Sequence, residues 1–517
     1  MKKHKKKQKK GKETDDQLCN EERQDSTLVS VKMVRNGVPI NELNLLEIAS
    51  STDEVELYIL DEPFAVTFNV PWISSIMLPS SILASCYVYP SQMDMQCCNS
   101  DETLFEWYRG KQIGNETEDR ISWTHISDAP IYLAQPSDVG HKLKVVCTPR
   151  NGSKTGPKAE CVSSCAVEAA PGVCLFEPRH LYTQQRLPNH QFRVVTYNLL
   201  ADLYANSDYS RTILFPYCPA YALAIDYRKQ LFIKEIQGYN GDIVCLQEVD
   251  SKIFYFDLLP FLRLSDYVGT FKPKGLTAEG LAIFFNSKKF SLIRNDGINI
   301  GENIPTLDIF NDLWLKIKDN EALVSRITDR STAVQVTSVQ ALDSRKIVIV
   351  ANTHLYFRPD ADHIRLLQIA FCMKYVESIY HQIKLEFNVD DNDISIVFCG
   401  DFNSVPECGI FKLMTQQKIE ENFVDFQSNR EEAVRDVSLS QPFQFKSAYV
   451  DLPKYTNYTV GFAACLDYIF YQPTNLRVIQ TIPVPSEEEL QAHTAIPCVV
   501  YPSDHISLVA DLEWIEK

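Results

Sequence analysis

The sequence lacks any apolar run approaching the roughly 20 residues that cross a bilayer, which argues against a membrane-spanning helix. It lacks an excess of positive charge as well. Its 67 acidic and 51 basic side chains leave a formal charge of −16, which excludes a general nucleic-acid coat, because non-specific affinity for phosphates comes from Lys and Arg releasing counterions. An acidic chain can still bind RNA locally, provided a metal ion and a few placed cations do the binding. The 15 cysteines show no framework spacing. Cys161 and Cys165 have no second pair at zinc-ligand distance, so they read as structural thiols, as do the adjacent Cys97 and Cys98. No G-x-x-x-x-G-K-[ST] or G-x-G-x-x-G occurs, and no G-x-S-x-G, which removes nucleoside triphosphate hydrolysis, dinucleotide redox chemistry and a serine-hydrolase elbow.

What is present is enough apolar material for large cores: 45% hydrophobic residues, with 27 Phe and 24 Tyr. At 517 residues the chain exceeds the roughly 250 to 300 that one core supports, so two folded domains are expected. Residues 1–26 open on a Lys-rich tract, Lys2 to Lys12, followed by Glu13, Asp15 and Asp16; a disordered, solvated tail is the expectation. Residues 27–170 carry short alternating runs such as Val55, Leu57 and Ile59, or Leu143, Val145 and Cys147, with turns at Arg35-Asn36-Gly37 and Arg150-Asn151-Gly152. This predicts a small all-β domain. Its Trp107, Tyr108 and Trp123 are expected in core packing, with a ligand face as the alternative. Pro171-Gly172 and Pro178 mark a linker, and residues 174–517 change to apolar strands alternating with helices, including a helix over Ile364 to Ile383. An α/β domain with helices covering sheets follows.

The chemistry lies where those apolar strands end. Asn198 follows Thr196-Tyr197, Glu248 follows Leu246-Gln247, His354 follows Asn352-Thr353, and Asp401 and Asn403 follow Cys399-Gly400. Asp467 in Leu466-Asp467-Tyr468 and Asp504-His505 after Ser503 complete the series. Any one of these could cap a turn, but six in one domain point to a ligand site at strand ends. Phosphodiester hydrolysis needs a hard cation on the nonbridging oxygens, an activated water and a neutralised leaving oxygen. Glu248, Asp401, Asn403 and Asp467 supply oxygen ligands, and His354 and His505 alone supply nitrogen, which favours magnesium or manganese over zinc.

At these residues the chain resembles the endonuclease/exonuclease/phosphatase superfamily and its deadenylase branch, through TYNLLAD, CLQEVD, NTHLY, CGDFNS, LDYIF and PSDHISL between Phe192 and Glu513. VEAAPGVCLFEPRHLYT and SRTILFPYCPAYALAIDYRKQL carry the likeness to the 2′,5′-phosphodiesterase type, and KLKVVCTP extends it into the β domain. The resemblance implies a two-sheet α/β sandwich and a magnesium-dependent 3′-exoribonuclease acting on 2′,5′-oligoadenylate and poly(A) ends. It implies that Glu248 holds the metal, that Asp401 and Asn403 sit at metal and phosphate, and that Asp467 supports a second metal position. Asn198 and His354 would contact phosphate, and His505, assisted by Asp504, would polarise phosphate or water. Acid and base roles stay open between Asp401 and His505. Tyr356, Phe357 and Phe402 are candidates for stacking on adenine, with core packing the expectation for Phe402. Arg330 is a candidate phosphate clamp. The resemblance implies residence in the mitochondrial matrix, with the cytoplasm as the alternative, since a Lys-rich tract stands where a targeting leader is expected. The competing readings are an inositol-phosphate or lipid phosphoesterase of the same fold, and an inert scaffold binding partners through the β domain.

Overall fold

The computed structural model describes residues 30–40, 54–111 and 121–515; the Lys-rich segment falls outside them. By its contacts the chain parts into two compact units, Met1–Val70 and Pro71–Lys517. The first carries a four-stranded antiparallel sheet built from Val31–Arg35, Val38–Pro39, Val55–Ile59 and Glu62–Val66. Asn36 and Gly37 turn its first hairpin, with φ of 48° and 79°, the left-handed pair that a two-residue hairpin requires.

By contacts the chain divides after Val70 and not at the change of texture near residue 174, because residues 71–168 pack against the α/β region. Leu83, Cys86 and Tyr89 of the β region share one core with Cys174, Phe176 and Leu231 of the α/β region. Two hydrogen bonds join the same parts: Leu83 N–H donates to Gln230 Oε1 at 2.8 Å, and the Tyr89 hydroxyl donates to Asp257 Oδ1 at 2.9 Å. Within residues 71–168, strands Leu104–Gly110, Trp123–Ser127, Lys142–Thr148 and Ala159–Val162 form one sheet. Trp107 is fully buried in its core. Tyr108 and Trp123 are half-buried instead, with the Lys144 ammonium 5.2 Å and 5.0 Å from their ring centres.

The α/β region stacks two six-stranded sheets. Its strands are β1 (Gln191–Asn198), β2 (Ile243–Asp250), β3 (Tyr267–Pro273), β4 (Glu279–Asn286), β5 (Phe290–Asn299), β6 (Ala333–Ala341), β7 (Ile347–His354), β8 (Ile394–Asp401), β9 (Lys446–Ser447), β10 (Asp467–Tyr471), β11 (Leu476–Thr481) and β12 (Leu508–Trp514). One sheet runs β3-β4-β2-β1-β12-β11, the other β5-β6-β7-β8-β10-β9. The strands read as continuous apolar runs because both faces of each sheet are covered. Phe192, Val194, Ile243 and Ile283 meet Val348, Val350, Val397 and Ile469 between the sheets. Helix α1 (Ile225–Gly238) covers the outside of the first sheet, and helix α2 (Asp362–Phe387) that of the second. α2 includes the stretch expected to be helical and ends at Asn388, whose φ of 48° gives a left-handed stop.

Each sheet has one parallel pair, β1 with β2 and β7 with β8. Parallel neighbours end at the same edge, so Asn198, Glu248, His354 and Asp401 arrive there together. The expected strands stopped short of these polar residues. The ladders in fact run through them, pairing Asn198 with Gln247, His354 with Asp401, and Asp401 with Asp467.

Candidate active site

The site residues are held by backbone geometry that few sequences tolerate. Glu248 lies at a bulge where the β2–β4 register shifts between Leu246 and Val249, and its φ is +52°. A non-glycine residue in that region is strained, and such strain concentrates at functional sites. Gly400 has φ +150°, and a Cβ there would stand 2.2 Å from the Thr353 carbonyl oxygen. Only glycine lets β8 approach β7 closely enough to set Asp401 beside His354.

Asn198 joins the two sheets at the site. Its Nδ2 donates to Glu248 Oε1 at 3.1 Å and to Asp401 Oδ2 at 3.0 Å. Glu248 Oε2 accepts from Ala201 N–H at 2.9 Å, and Asp401 Oδ1 accepts from Asn403 N–H at 2.9 Å. Below this layer Gln247 Nε2 donates to Asn352 Oδ1 at 2.8 Å, while Asn352 Nδ2 donates to the Leu246 carbonyl at 2.9 Å. Both amides are fully buried, so this crosslink fixes the separation of the strands that carry Glu248 and His354.

Two imidazoles flank Asp401. His505 Nε2 stands 3.5 Å from Asp401 Oδ2, and His505 Nδ1 donates to Asp467 Oδ2 at 2.8 Å. Burial alone would lower the His505 pKa, but the Asp467, Asp401 and Asp504 carboxylates hold it well above the usual histidine value, so the ring is an imidazolium at neutral pH. His354 is the opposite case. Burial, the Lys274 ammonium and His505 push its pKa well below the usual value, and Lys274 Nζ donates to Nδ1 at 3.3 Å. That contact leaves the proton on Nε2, which stands 3.5 Å from Asp401 Oδ2 and 3.9 Å from Glu248 Oε1.

Glu248 is raised to about 7, first by burial and then by the Asp504 and Glu279 charges. Asp401 is raised to about 6 by burial and Asp467, against the lowering effect of His505. Among the described residues no Lys or Arg lies within ion-pair distance of Glu248, Asp401 or Asp467. Ligand atoms of Asp401, Asp467 and His505 all lie within 4.8 Å of one another. The His505 imidazolium has no free lone pair for a metal, so the buried oxygens of Glu248 and Asp401, which meet no Lys or Arg, are the ones that fit a hard divalent ion.

The structure thus brings together Asn198, Glu248, His354, Asp401, Asp467 and His505. It differs from the expectation at Asp504, whose carboxylate accepts from Asn457 Nδ2 at 3.3 Å. The carboxylate on His505 is Asp467, because adjacent residues of an extended segment point opposite ways. Asn403 directs Nδ2 at the Leu355 carbonyl, 3.0 Å away. Phe402 is fully buried, packed on Phe398, Tyr468 and Phe470. Phe357 is 68% exposed, and the Arg330 guanidinium lies 4.8 Å over the Tyr356 ring.

Three residues at or beside the site carried no signal that set them apart in the sequence. Lys274 also pairs with buried Glu279 at 3.3 Å, and neither stands in a polar strand-end motif. Phe462 is 53% exposed near the tip of a hairpin whose strands are Asn457–Tyr458 and Ala463–Ala464, with Asn457 bridged to His505.

Comparison with known proteins gives matches in both regions. Residues 195–505 match the Endonuclease/Exonuclease/phosphatase family, and residues 70–168 match the 2′,5′-phosphodiesterase 12-like N-terminal domain, a start that agrees with the division after Val70. The 2′,5′-phosphodiesterase 12 of Bos taurus is 39% identical over 485 residues, covering 91% of this chain and 78% of the relative. The CCR4-NOT transcription complex subunit 6-like-B of Xenopus laevis is 30% identical over 363 residues, covering 64% and 65%. Among solved structures, ANGEL2, a 2′,3′-cyclic phosphatase, in complex with adenosine-2′,3′-vanadate, superposes with a TM-score of 0.51 at 23% identity. It covers 63% of this chain and 96% of that one, a likeness of fold. With the two sheets, the strand-end cluster and these matches agreeing, the chain belongs to the endonuclease/exonuclease/phosphatase family and carries the N-terminal domain of its 2′,5′-phosphodiesterase 12-like members.

Proposed function

We propose that this protein is a magnesium-dependent phosphodiesterase that removes 5′-AMP from the free end of 2′,5′-linked oligoadenylate and of 3′,5′-linked poly(A). The observation that carries the reading is the placement of Asp401 Oδ2 between Asn198 Nδ2, His354 Nε2 and His505 Nε2. Relatives named 2′,5′-phosphodiesterase 12 and CCR4-Not complex 3′-5′-exoribonuclease subunit support the substrate class.

Glu248, Asp401 and Asn403 would hold the cation. When bound, it supplies charge on a nonbridging phosphate oxygen and on the leaving oxygen. The chain's own groups do the rest. Asp401, raised to about 6, is ionised at neutral pH and accepts the proton of the attacking water. The new bond joins that water oxygen to phosphorus, the bond broken joins phosphorus to the ribose 2′ or 3′ oxygen, and that oxygen leaves as a hydroxyl by taking a proton from solvent. The His505 imidazolium, oriented by Asp467, pairs with the charge that grows on the phosphate, and His354 Nε2–H donates from the other side. Asn198 keeps Glu248 and Asp401 in register for both sheets. Residence in the mitochondrial matrix is part of the same proposal, tested by fractionation of cells expressing the full-length protein.

The direct test is cleavage of 2′,5′- and 3′,5′-linked oligoadenylate by purified protein, with magnesium and with chelator, beside Asp401→Ala. Magnesium-dependent release of AMP that the variant lacks is expected. Cleavage of neither polymer overturns the proposal.

A further inference from the structure

Two arginines stack on one tyrosine at the rim of the site, and only one is neutralised. The Arg326 guanidinium, 5.7 Å from the Tyr356 ring centre, is paired with Glu432 at 2.7 Å and with Asp360 at 2.8 Å. The Arg330 guanidinium lies closer, 4.8 Å over the same ring, and donates Nε–H to the Arg326 carbonyl at 3.0 Å. Among the described residues no carboxylate lies within ion-pair distance of it. A half-buried cation held flat on an aromatic face, with its terminal N–H groups uncommitted to an acid, is a receptor for a planar or tetrahedral anion.

The position is wired to the reaction centre. Asn403 Nδ2 donates to the Leu355 carbonyl at 3.0 Å, and the next residue is Tyr356. Its N–H donates to Gln368 Oε1 at 3.2 Å and its carbonyl accepts from Arg365 Nη1 at 3.0 Å. Gln368 Nε2 in turn donates to Thr332 Oγ1 at 2.9 Å, two residues beyond Arg330. Strand β6 begins at Ala333, and Val334 pairs with Thr353 beside His354, so Arg330 leaves the sheet at the site edge. A Cβ on Gly275 would stand 3.2 Å from Ser331 Cβ, which sets the Lys274 turn against the residue after Arg330. Little movement is left in this shelf. Its binding geometry is prepaid in the fold.

We propose that Arg330, laid on Tyr356, binds the phosphate one nucleotide upstream of the scissile one, making the enzyme select chains with at least two internucleotide phosphates. The inference rests on the phosphodiesterase reading and adds a second anion subsite to it. A nucleobase contact with Phe357 leaves this assignment unchanged, because bases stack without regard to charge.

The test compares an adenylate trimer with an adenylate dimer, both 2′,5′-linked and without terminal phosphates. The trimer offers an upstream phosphate and the dimer offers none. Arg330→Ala is expected to lower kcat/KM on the trimer about 10-fold or more, the worth of a charge-assisted hydrogen bond. The same variant is expected to stay within about two-fold of the parent on the dimer, with Arg330→Lys in between on the trimer, since a point cation recovers charge but not the fork. Equal losses on both substrates, or no loss on the trimer, overturn the inference. If the parent protein cuts neither, the phosphodiesterase reading itself fails and the inference falls with it.

Discussion

Replacing Glu248 with glutamine should stabilise the cation-free protein at alkaline pH while ending catalysis. Glu248 titrates at about 7 instead of the ordinary 4.5, burial being the largest cause. At about 1.36 kcal/mol per pH unit, keeping that carboxylate ionised inside the fold costs up to about 3 kcal/mol. A raised carboxyl favours the folded chain while it keeps its proton. The cost is therefore absent below pH 4.5, grows as pH rises, and is complete above pH 7. The amide can offer oxygen to only one of the two donors, Asn198 Nδ2 and Ala201 N–H, which returns about 1 kcal/mol. A net gain of about 2 kcal/mol remains at pH 8. The compact unit Pro71–Lys517 has 517 − 70 = 447 residues, and at roughly 2.1 cal/mol/K per residue this gain raises Tm by about 2 °C. By pH 4 little more than the lost hydrogen bond remains, and the order of the two proteins reverses. Thermal melts in chelator at pH 4 and pH 8, beside turnover in magnesium, read both halves. A variant that melts below its parent at pH 8, or that keeps cation-dependent turnover, refutes the argument.

Other substitutions separate neighbouring roles. Asp467→Asn removes the charge that orients and protonates His505; turnover should fall about 100-fold or more, whereas Asp504→Asn, whose carboxylate rests on Asn457, should stay within about 10-fold. Steady-state kinetics on one substrate compare the two. Gly238→Ala would put a Cβ 2.1 Å from the His180 ring and should cost about 1 to 3 kcal/mol, read as a lower midpoint in urea. Phe462→Ala should raise KM for oligoadenylate by at least about five-fold, the low end of what stacking a base on an aromatic ring contributes, with kcat within about two-fold.

The candidate cluster was legible because phosphodiester hydrolysis would demand particular side chains at strand ends, and each stood beside an apolar run long enough to read. Asn198, Glu248, His354 and Asp401 needed no knowledge of sheet order for that. The partner of His505 did need it. Asp467 reaches the ring only because β10 pairs with β8 and the loop before β12 closes over β1, where Ser503 Oγ donates to the Asn198 carbonyl at 2.7 Å. The family resemblance gave Asp504 that role, although adjacent residues of an extended segment face opposite ways. Lys274 was invisible for a related cause: a lysine in a turn looks like solvent-facing charge until the fold sets it on His354. The division after Val70 carried no sequence signal because the strands on either side have the same alternating texture, whereas the change of texture near residue 174 falls between the two family matches, residues 70–168 and 195–505.

The order of strands also bears on synthesis. The second sheet, β5 to β10, is one uninterrupted stretch of chain, but the first is completed by β12, which inserts between β1 and β11. A ribosome that has delivered everything up to Thr481 has therefore produced a first sheet whose β1 edge is still bare, and has not yet delivered His505. Until β12 covers that edge, His505 cannot be set beside Asn198 and Asp401, so the cluster assembles only after every other strand of both sheets has been made.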